Sequence, residues 1–251
     1  MDDQTFGTRN AVAAWRKSKP MNTDNTLTSE LDHWIFLKLP KSMKQGCTYT
    51  VSVPEGLGSD VPQSSVTFDV WTSQSEAVHV NIVGYSPKEA VKAADLYLWL
   101  GDGGQRDYSA FEGNKVYLYN VDTGAKTKVG SVKFWKEASE HPNEAGEKNL
   151  TGSDVWTVDF KYSKPGRYRL VVDGVGCSMD FYISDDVYFE PYHYSLRGYY
   201  YMRLGEPIDP AITPVPRQPM FIPEVDPVGF TVYKTDMHPW HPDWRKLRGD
   251  V

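Results

Sequence analysis

Cysteine is scarce in this chain. There are two in 251 residues, Cys47 and Cys177, with no metal-ligand spacing around either, so they read as two isolated thiols behaving as small hydrophobes. Long apolar runs are missing as well. None approaches the roughly 18 residues a spanning helix needs, so no membrane span is expected. Basic excess is absent: 27 Lys and Arg stand against 33 Asp and Glu, a net charge of −6, which argues against nucleic acid as a partner. Met1 to Pro20 is acidic at its start and lacks the apolar core of a signal peptide. What remains is globular in composition, 40% hydrophobic and 24% charged. The excess is in rings, with 8 Trp, 16 Tyr and 10 Phe.

Three stretches follow one another. Residues 1–30 read as an irregular segment, apart from a small apolar cluster at Ala11 to Trp15. From 31 to 75 the signal is β. Trp34-Ile-Phe-Leu37 is a short apolar run, and Tyr49-Thr-Val-Ser-Val53 and Val66-Thr-Phe-Asp-Val70 alternate with period two. Between Val78 and Ser184 more short runs recur: 78–82, 91–100, 116–119, 127–135, 155–158, 168–172 and 179–183. Short alternating strands at this density predict an Ig-like β-sandwich. With no helical period between them, a doubly wound α/β sheet is disfavoured. The segment Lys44-Gln-Gly46-Cys-Thr-Tyr49 resembles Lys164-Pro-Gly166-Arg-Tyr168. A turn glycine followed by a corner tyrosine, whose hydroxyl serves a nearby backbone group, opens a late sandwich strand. The pair suggests two sandwich modules in tandem, the first of them partial.

After 187 the pattern changes. Phe189, Tyr192, Leu196, Tyr199, Tyr200 and Leu204 fall at spacings of 3 and 4, one face of a helix. Pro191 suits the helix start and Gly205 the stop. Nine of the 17 prolines then lie between Pro207 and Pro242, which forbids regular helix or central strand. Phe221, Phe230, Trp240 and Trp244 are too apolar for a solvated spacer, so an extended segment that drapes over a neighbour is expected.

Five ordered features now carry a resemblance: Val80-Asn-Ile-Val-Gly-Tyr85, the turn Asp122-Thr-Gly124, Trp156-Thr-Val-Asp-Phe160, Pro165-Gly-Arg-Tyr168, and Val187-Tyr188 through Tyr199-Tyr-Tyr-Met-Arg203-Leu-Gly205. Together they resemble the N-terminal Ig-like domain of family 9 glycoside hydrolases, the cellulases, followed by the helix that opens the catalytic barrel. The resemblance covers residues 78–206. It implies the domain layout 1–30 irregular, 31–75 a partial Ig- or fibronectin-like module, 78–185 the Ig-like domain, and 187–251 the opening helix and extended start of an (α/α)6-type catalytic domain. It implies an inverting, endoglucanase-like parent acting on β-1,4-glucan, extracellular or periplasmic, in which a base and an acid flank the sugar. The family's base motif, Asp-Ala-Gly-Asp, does not occur here, so no catalytic residue is carried over. The chain is expected to be an inactive fragment that stabilises or positions that barrel, its partner, and reaches polysaccharide through it. A stand-alone carbohydrate-binding or cell-surface Ig-like module is the alternative. No cofactor is implied beyond a structural calcium in the parent.

His238, Trp240, His241 and Trp244, with Asp236 and Asp243, form either a metal site, a sugar-stacking wall or plain packing. Tyr192, Leu196, Tyr199, Tyr200 and Arg203 are assigned to packing on the barrel, with Arg203 at the helix end in an ion pair or on a carbonyl. Asp185 and Asp186 suit the start of the helix better than calcium. Gly101-Asp-Gly-Gly104 follows a strand without opening a helix, which disfavours a phosphate cradle. His33, His79, His141 and His193 stand singly and read as ordinary residues.

Overall fold

The computed structural model describes residues 11–23, 29–53, 56, 61–138, 152–203 and 206–219. It divides into two units, Met1–Tyr188 and Phe189–Val251. The first is built almost wholly from antiparallel strands and the second holds one helix, so the protein is mainly β.

The first two hairpins lie upstream of the sandwich. Strand β1 (Ala13–Thr23) pairs with β2 (Ser29–Lys38), placing Trp15 opposite Phe36 and Lys17 opposite Trp34. Over Ala13–Thr23 this corrects the expectation of irregular chain within residues 1–30. Alternation in β1 is masked in the sequence because Lys17 takes an inward position. Its ammonium lies 5.4 Å from the Trp34 ring centroid and 5.3 Å from that of Phe36, and pairs with Glu76 at 3.1 Å. The aliphatic stem thus covers apolar surface while the charge finds its partners. Strand β3 (Thr48–Ser52) pairs with β4 (Gln63–Thr67) in a separate two-stranded sheet. Within the partial module expected over 31–75, β2 thus pairs upstream with β1, and β3 and β4 form a sheet of their own.

Downstream, each expected β segment contains a strand. Strands β5 (Val78–Val80), β6 (Ala94–Leu96), β7 (Lys115–Asn120), β8 (Lys126–Ser131), β9 (Lys133–Lys136), β10 (Val155–Thr157), β11 (Gly166–Val172), β12 (Gly176–Cys177) and β13 (Phe181–Ile183) form two sheets. One runs β5-β6-β10-β9. The other runs β12-β11-β7-β8, with β13 also on β11. The run 127–135, expected as one strand, changes sheets at Val132. That residue is 2% exposed, and its N–H donates to the Asn114 carbonyl at 2.9 Å while its carbonyl accepts from Gly113 at 3.0 Å. These bonds satisfy the backbone where both ladders stop. On the opposite edge, the Ser178 hydroxyl accepts the Leu170 N–H at 3.0 Å, filling the gap between β12 and β13.

The sheets enclose Leu96, Trp156 and Val158 from one side and Val116, Leu118, Leu170 and Val172 from the other. Each fully buried aliphatic side chain contributes about 1.5–3 kcal/mol. Tyr85, Phe160 and Phe181 close one end in edge-to-face contacts, with Tyr85 5.4 and 5.3 Å from the two Phe centroids. The Tyr85 hydroxyl accepts the Asn81 N–H at 2.8 Å and donates to the Ala93 carbonyl at 2.7 Å. Lys92 nearby is fully buried, its ammonium donating to the Glu89 carbonyl at 3.0 Å, and burial lowers its pKa.

Helix α1 (Phe189–Tyr201) opens the second unit. It is shorter than the run 187–205, and Pro191 falls at its third residue, still within the first turn where no N–H is needed. After it the chain turns back, and Ile208 bridges Arg217.

Candidate functional site

Three regions bear on function: the surface of α1, the outer face of the five-stranded sheet, and a cleft between the β1–β2 hairpin and the end of the sandwich.

On α1 the apolar side chains stay in the open. Tyr192 is 62% exposed, Leu196 49% and Tyr199 72%, and Phe189 and Tyr194 are similarly bare, as is Met202 just past the helix. Tyr200 and Tyr201 are half-buried instead, because the returning segment rests on them. The Asp209 N–H donates to the Tyr200 hydroxyl at 3.4 Å, and Arg217 donates to the carbonyls of Tyr201 at 2.9 Å and Arg203 at 2.5 Å. Arg217 thereby satisfies carbonyls at the helix end, which have no partner within the helix. The sequence offers Arg203 for an ion pair or a carbonyl contact at this end. Arg203 lies over the Tyr200 ring, 5.1 Å from its centroid. Arg217 was hidden by the prolines around it. Leu204, Gly205, His238, Trp240, His241 and Trp244 lie outside the described residues.

The outer face of the five-stranded sheet carries Tyr117 and Tyr119, with Trp71 packed across them. Their centroids are 5.3 and 6.1 Å from Trp71, at interplanar angles of 67° and 39°, and the Lys126 ammonium sits 4.1 Å from the Trp71 centroid. Rings tilted this far apart offer no flat platform for successive sugar faces. Beside them Asp180 holds Arg167 and Arg169, both at 2.5 Å. Burial raises the Asp180 carboxyl, but the two guanidinium groups outweigh it and hold its pKa below the ordinary value.

The cleft depends on the glycine loop. Gly101–Gly103 forms a tight 3-10 turn against β1. A Cβ on Gly101, whose φ is +76°, would lie 2.0 Å from the Arg16 carbonyl oxygen, and one on Gly103 would lie 2.4 Å from the Trp15 ring. Asp102 accepts the Arg16 N–H at 2.7 Å. The glycines therefore let the hairpin approach. Between hairpin and sandwich lies a cleft of about 220 Å3, lined by Trp15, Phe36, Lys38, Arg106, Tyr108 and Phe111 among others. The Arg106 guanidinium lies 5.2 Å from the Tyr108 ring centroid. Burial pushes the Tyr108 hydroxyl up to about 12, against the pull of that charge. Sequence reasoning missed Lys38, Arg106 and Tyr108, since nothing in their spacing ties residue 38 to residues 106–111.

The remaining candidates have structural partners. Asp185 pairs with Lys88 at 3.2 Å, and Asp186 hydrogen-bonds the Ser184 hydroxyl just before α1. The His33 Nδ1 and Ser18 Oγ hydrogen-bond at 2.8 Å. His79 stacks on Tyr97 at 3.9 Å, and burial lowers its pKa. His193 lies 6.1 Å from Phe189 and 5.8 Å from Tyr194, centroid to centroid. His141 lies outside the described residues. No cluster of three His, Cys, Asp or Glu able to hold a metal occurs among the described residues. No helix among them is long and apolar enough to cross a membrane.

The sequence matches no protein-family model and no curated protein. Among solved structures the chain is similar to a metagenome-derived glycoside hydrolase family 9 endoglucanase, at 26% identity, covering 65% of this chain and 26% of that one, with a TM-score of 0.44. The chain thus spans about a quarter of that protein's length.

Proposed function

We propose that residues 78–185 are the Ig-like, non-catalytic domain of a cellulase-like glycoside hydrolase acting on β-1,4-glucan. In this reading residues 187–251 are the opening helix and extended start of its (α/α)6-type catalytic domain. The role of the sandwich is to stabilise or position that barrel, and the polysaccharide is met through the barrel.

The bare aromatic face of α1 carries the reading. Tyr192, Leu196 and Tyr199 are each about half or more exposed, and a contiguous apolar surface of this kind marks an interaction site. The sandwich holds the residue that leads into α1, since the Tyr188 hydroxyl hydrogen-bonds Glu89 at 2.8 Å and the Gly84 carbonyl at 3.3 Å. Gly84 has φ +110°, and a Cβ there would meet the Tyr182 carbonyl oxygen at 2.4 Å, so only glycine fits this junction. Gly84-Tyr85 and Val187-Tyr188 belong to the ordered features that resemble the family. The contact of Gly84 with Tyr188 supports reading those features together. Tyr192, Leu196, Tyr199, Tyr200 and Arg203 are the proposed barrel-facing set, and Trp240, Trp244, His238 and His241 the proposed sugar-facing wall.

Two measurements test this. The purified chain should release no reducing sugar from carboxymethyl cellulose above a protein-free blank; release proportional to protein would end the non-catalytic reading. A family 9 catalytic body lacking its own sandwich and opening helix should associate with the chain in sedimentation velocity, and Tyr192→Ser with Tyr199→Ser should weaken that association. No association with the unaltered chain would end the packing role.

A further inference from the structure

We propose that the cleft between the β1–β2 hairpin and the end of the sandwich binds the ring of an acidic sugar, a hexuronate residue. This is independent of the role given to α1. Recognition of such a ring calls for aromatic surface against its C–H face and a cation for its carboxylate. The cleft supplies both on opposite walls. Trp15 and Phe36 stand directly across from one another on the hairpin. Phe111 forms the sandwich wall, backed by Tyr108, whose ring centroid is 5.5 Å away and which is itself 2% exposed. Lys38 follows Phe36 on the same face of β2, and Arg106 lies over Tyr108.

The charges select the ligand class. Among the described residues no carboxylate pairs with Lys38 or Arg106. Four nearby acids bond to other groups: Glu76 to Lys17, Asp102 to the Arg16 N–H, Asp107 to the N–H and hydroxyl of Ser109, and Glu112 to the Trp156 indole. In a chain of net charge −6, two cations without carboxylate partners on one aromatic-lined cleft make a local anion site against the general field. A neutral sugar would leave both unused. The volume, about 220 Å3, falls below the roughly 300–1,000 Å3 of drug-sized sites, which suits a single ring. The docked glycine loop holds Trp15 in place before any ligand arrives, limiting the ordering cost of binding.

The test uses the full 251-residue chain with sodium D-glucuronate as probe, and D-glucose and sodium benzoate as comparators. Glucuronate should give saturable 1H–15N shifts at the Trp15 indole N–H, with glucose and the variants Lys38→Gln and Arg106→Gln each weaker by about tenfold. Both substitutions fall on exposed side chains, so unchanged melting temperatures should accompany the loss. Three results would overturn the proposal. They are no saturable shift at tens of millimolar glucuronate, equal affinity for glucose, and competition by benzoate as strong as glucuronate's own binding, which would mark a site for aromatic acids.

Discussion

The hydroxyl of Tyr168 donates to the carbonyl oxygen of Lys164, 3.2 Å away, while its ring lies 2% exposed in the core. Tyr49 makes the related contact with reversed polarity, its hydroxyl accepting the Lys44 N–H at 2.8 Å. In both places a lysine and a glycine precede the ring, and the tyrosine ties the end of a turn to the strand it opens. The repeat seen in the sequence is thus a repeat of one corner device. The two strands it opens sit in different settings: β11 pairs with three strands at the centre of a sheet, whereas β3 pairs with β4 alone.

Removing only the hydroxyl should separate the corner from the core. Tyr168→Phe keeps the ring and deletes the hydrogen bond, so a loss of about 1 kcal/mol is expected, and Tyr168→Ala should cost about 3–5 kcal/mol. Urea unfolding followed by tryptophan fluorescence would report both. If Tyr168→Phe were as damaging as Tyr168→Ala, the ring packing would not be the larger contribution and the partition would be wrong.

The sandwich strands and α1 were legible because their signals are local. Period-two alternation over 116–119 and 168–172, and spacings of 3 and 4 after 187, are each contained within one element. What was not legible depends on distant partners. β1 was obscured by Lys17, whose inward position makes sense only beside Trp34, Phe36 and Glu76. The change of sheet at Val132 needs the backbone of residues 113 and 114. Arg217, set among prolines, gives no hint that it reaches back to the carbonyls of Tyr201 and Arg203. The cleft is the extreme case, since one wall comes from the first hairpin and the other from residues 98–111, far along the chain. The glycine loop between them was conspicuous in the sequence, yet its use, the close approach of Arg16 and Trp15, could not be read from its own residues.

That use can be tested by comparing two glycines of the same loop. Gly101 and Gly104 both have positive φ, +76° and +69°, but a Cβ on Gly104 meets nothing within 4 Å. Gly104, with ψ −150°, sits in backbone space that essentially only glycine adopts, so Gly104→Ala should cost about 1–3 kcal/mol from the backbone alone. Gly101→Ala adds a Cβ 2.0 Å from the Arg16 carbonyl oxygen, so the hairpin must shift. Expected results are a larger stability loss, red-shifted Trp15 emission and faster proteolysis within β1. Equal behaviour of the two variants would show that β1 does not rest on Gly101.

Cys177 provides a pH-dependent readout of the sandwich edge. It is 1% exposed, with its carbonyl accepting the Ser75 N–H at 2.8 Å and its own N–H donating to Ser73 at 3.0 Å. Burial pushes its thiol up to about 11, whereas in the unfolded chain it ionises near the ordinary value of about 8.5. The folded state therefore keeps a proton that the unfolded state releases. The associated stability is complete below about pH 8.5 and is lost as pH rises towards 11, with a limiting slope of about 1.4 kcal/mol per pH unit. Tyr85 and Tyr108, both pushed up to about 12 by burial, extend the loss above pH 10 in the same direction. Cys177→Ala should flatten the decline between about pH 8.5 and 10 while leaving the tyrosine-driven part. In the native protein at pH 8 a disulfide reagent should titrate the half-buried Cys47 and leave Cys177 untouched until denaturant is added. Rapid reaction of both thiols under native conditions, or an unchanged pH slope in Cys177→Ala, would mean that segment 73–75 does not seal this edge of the sheet.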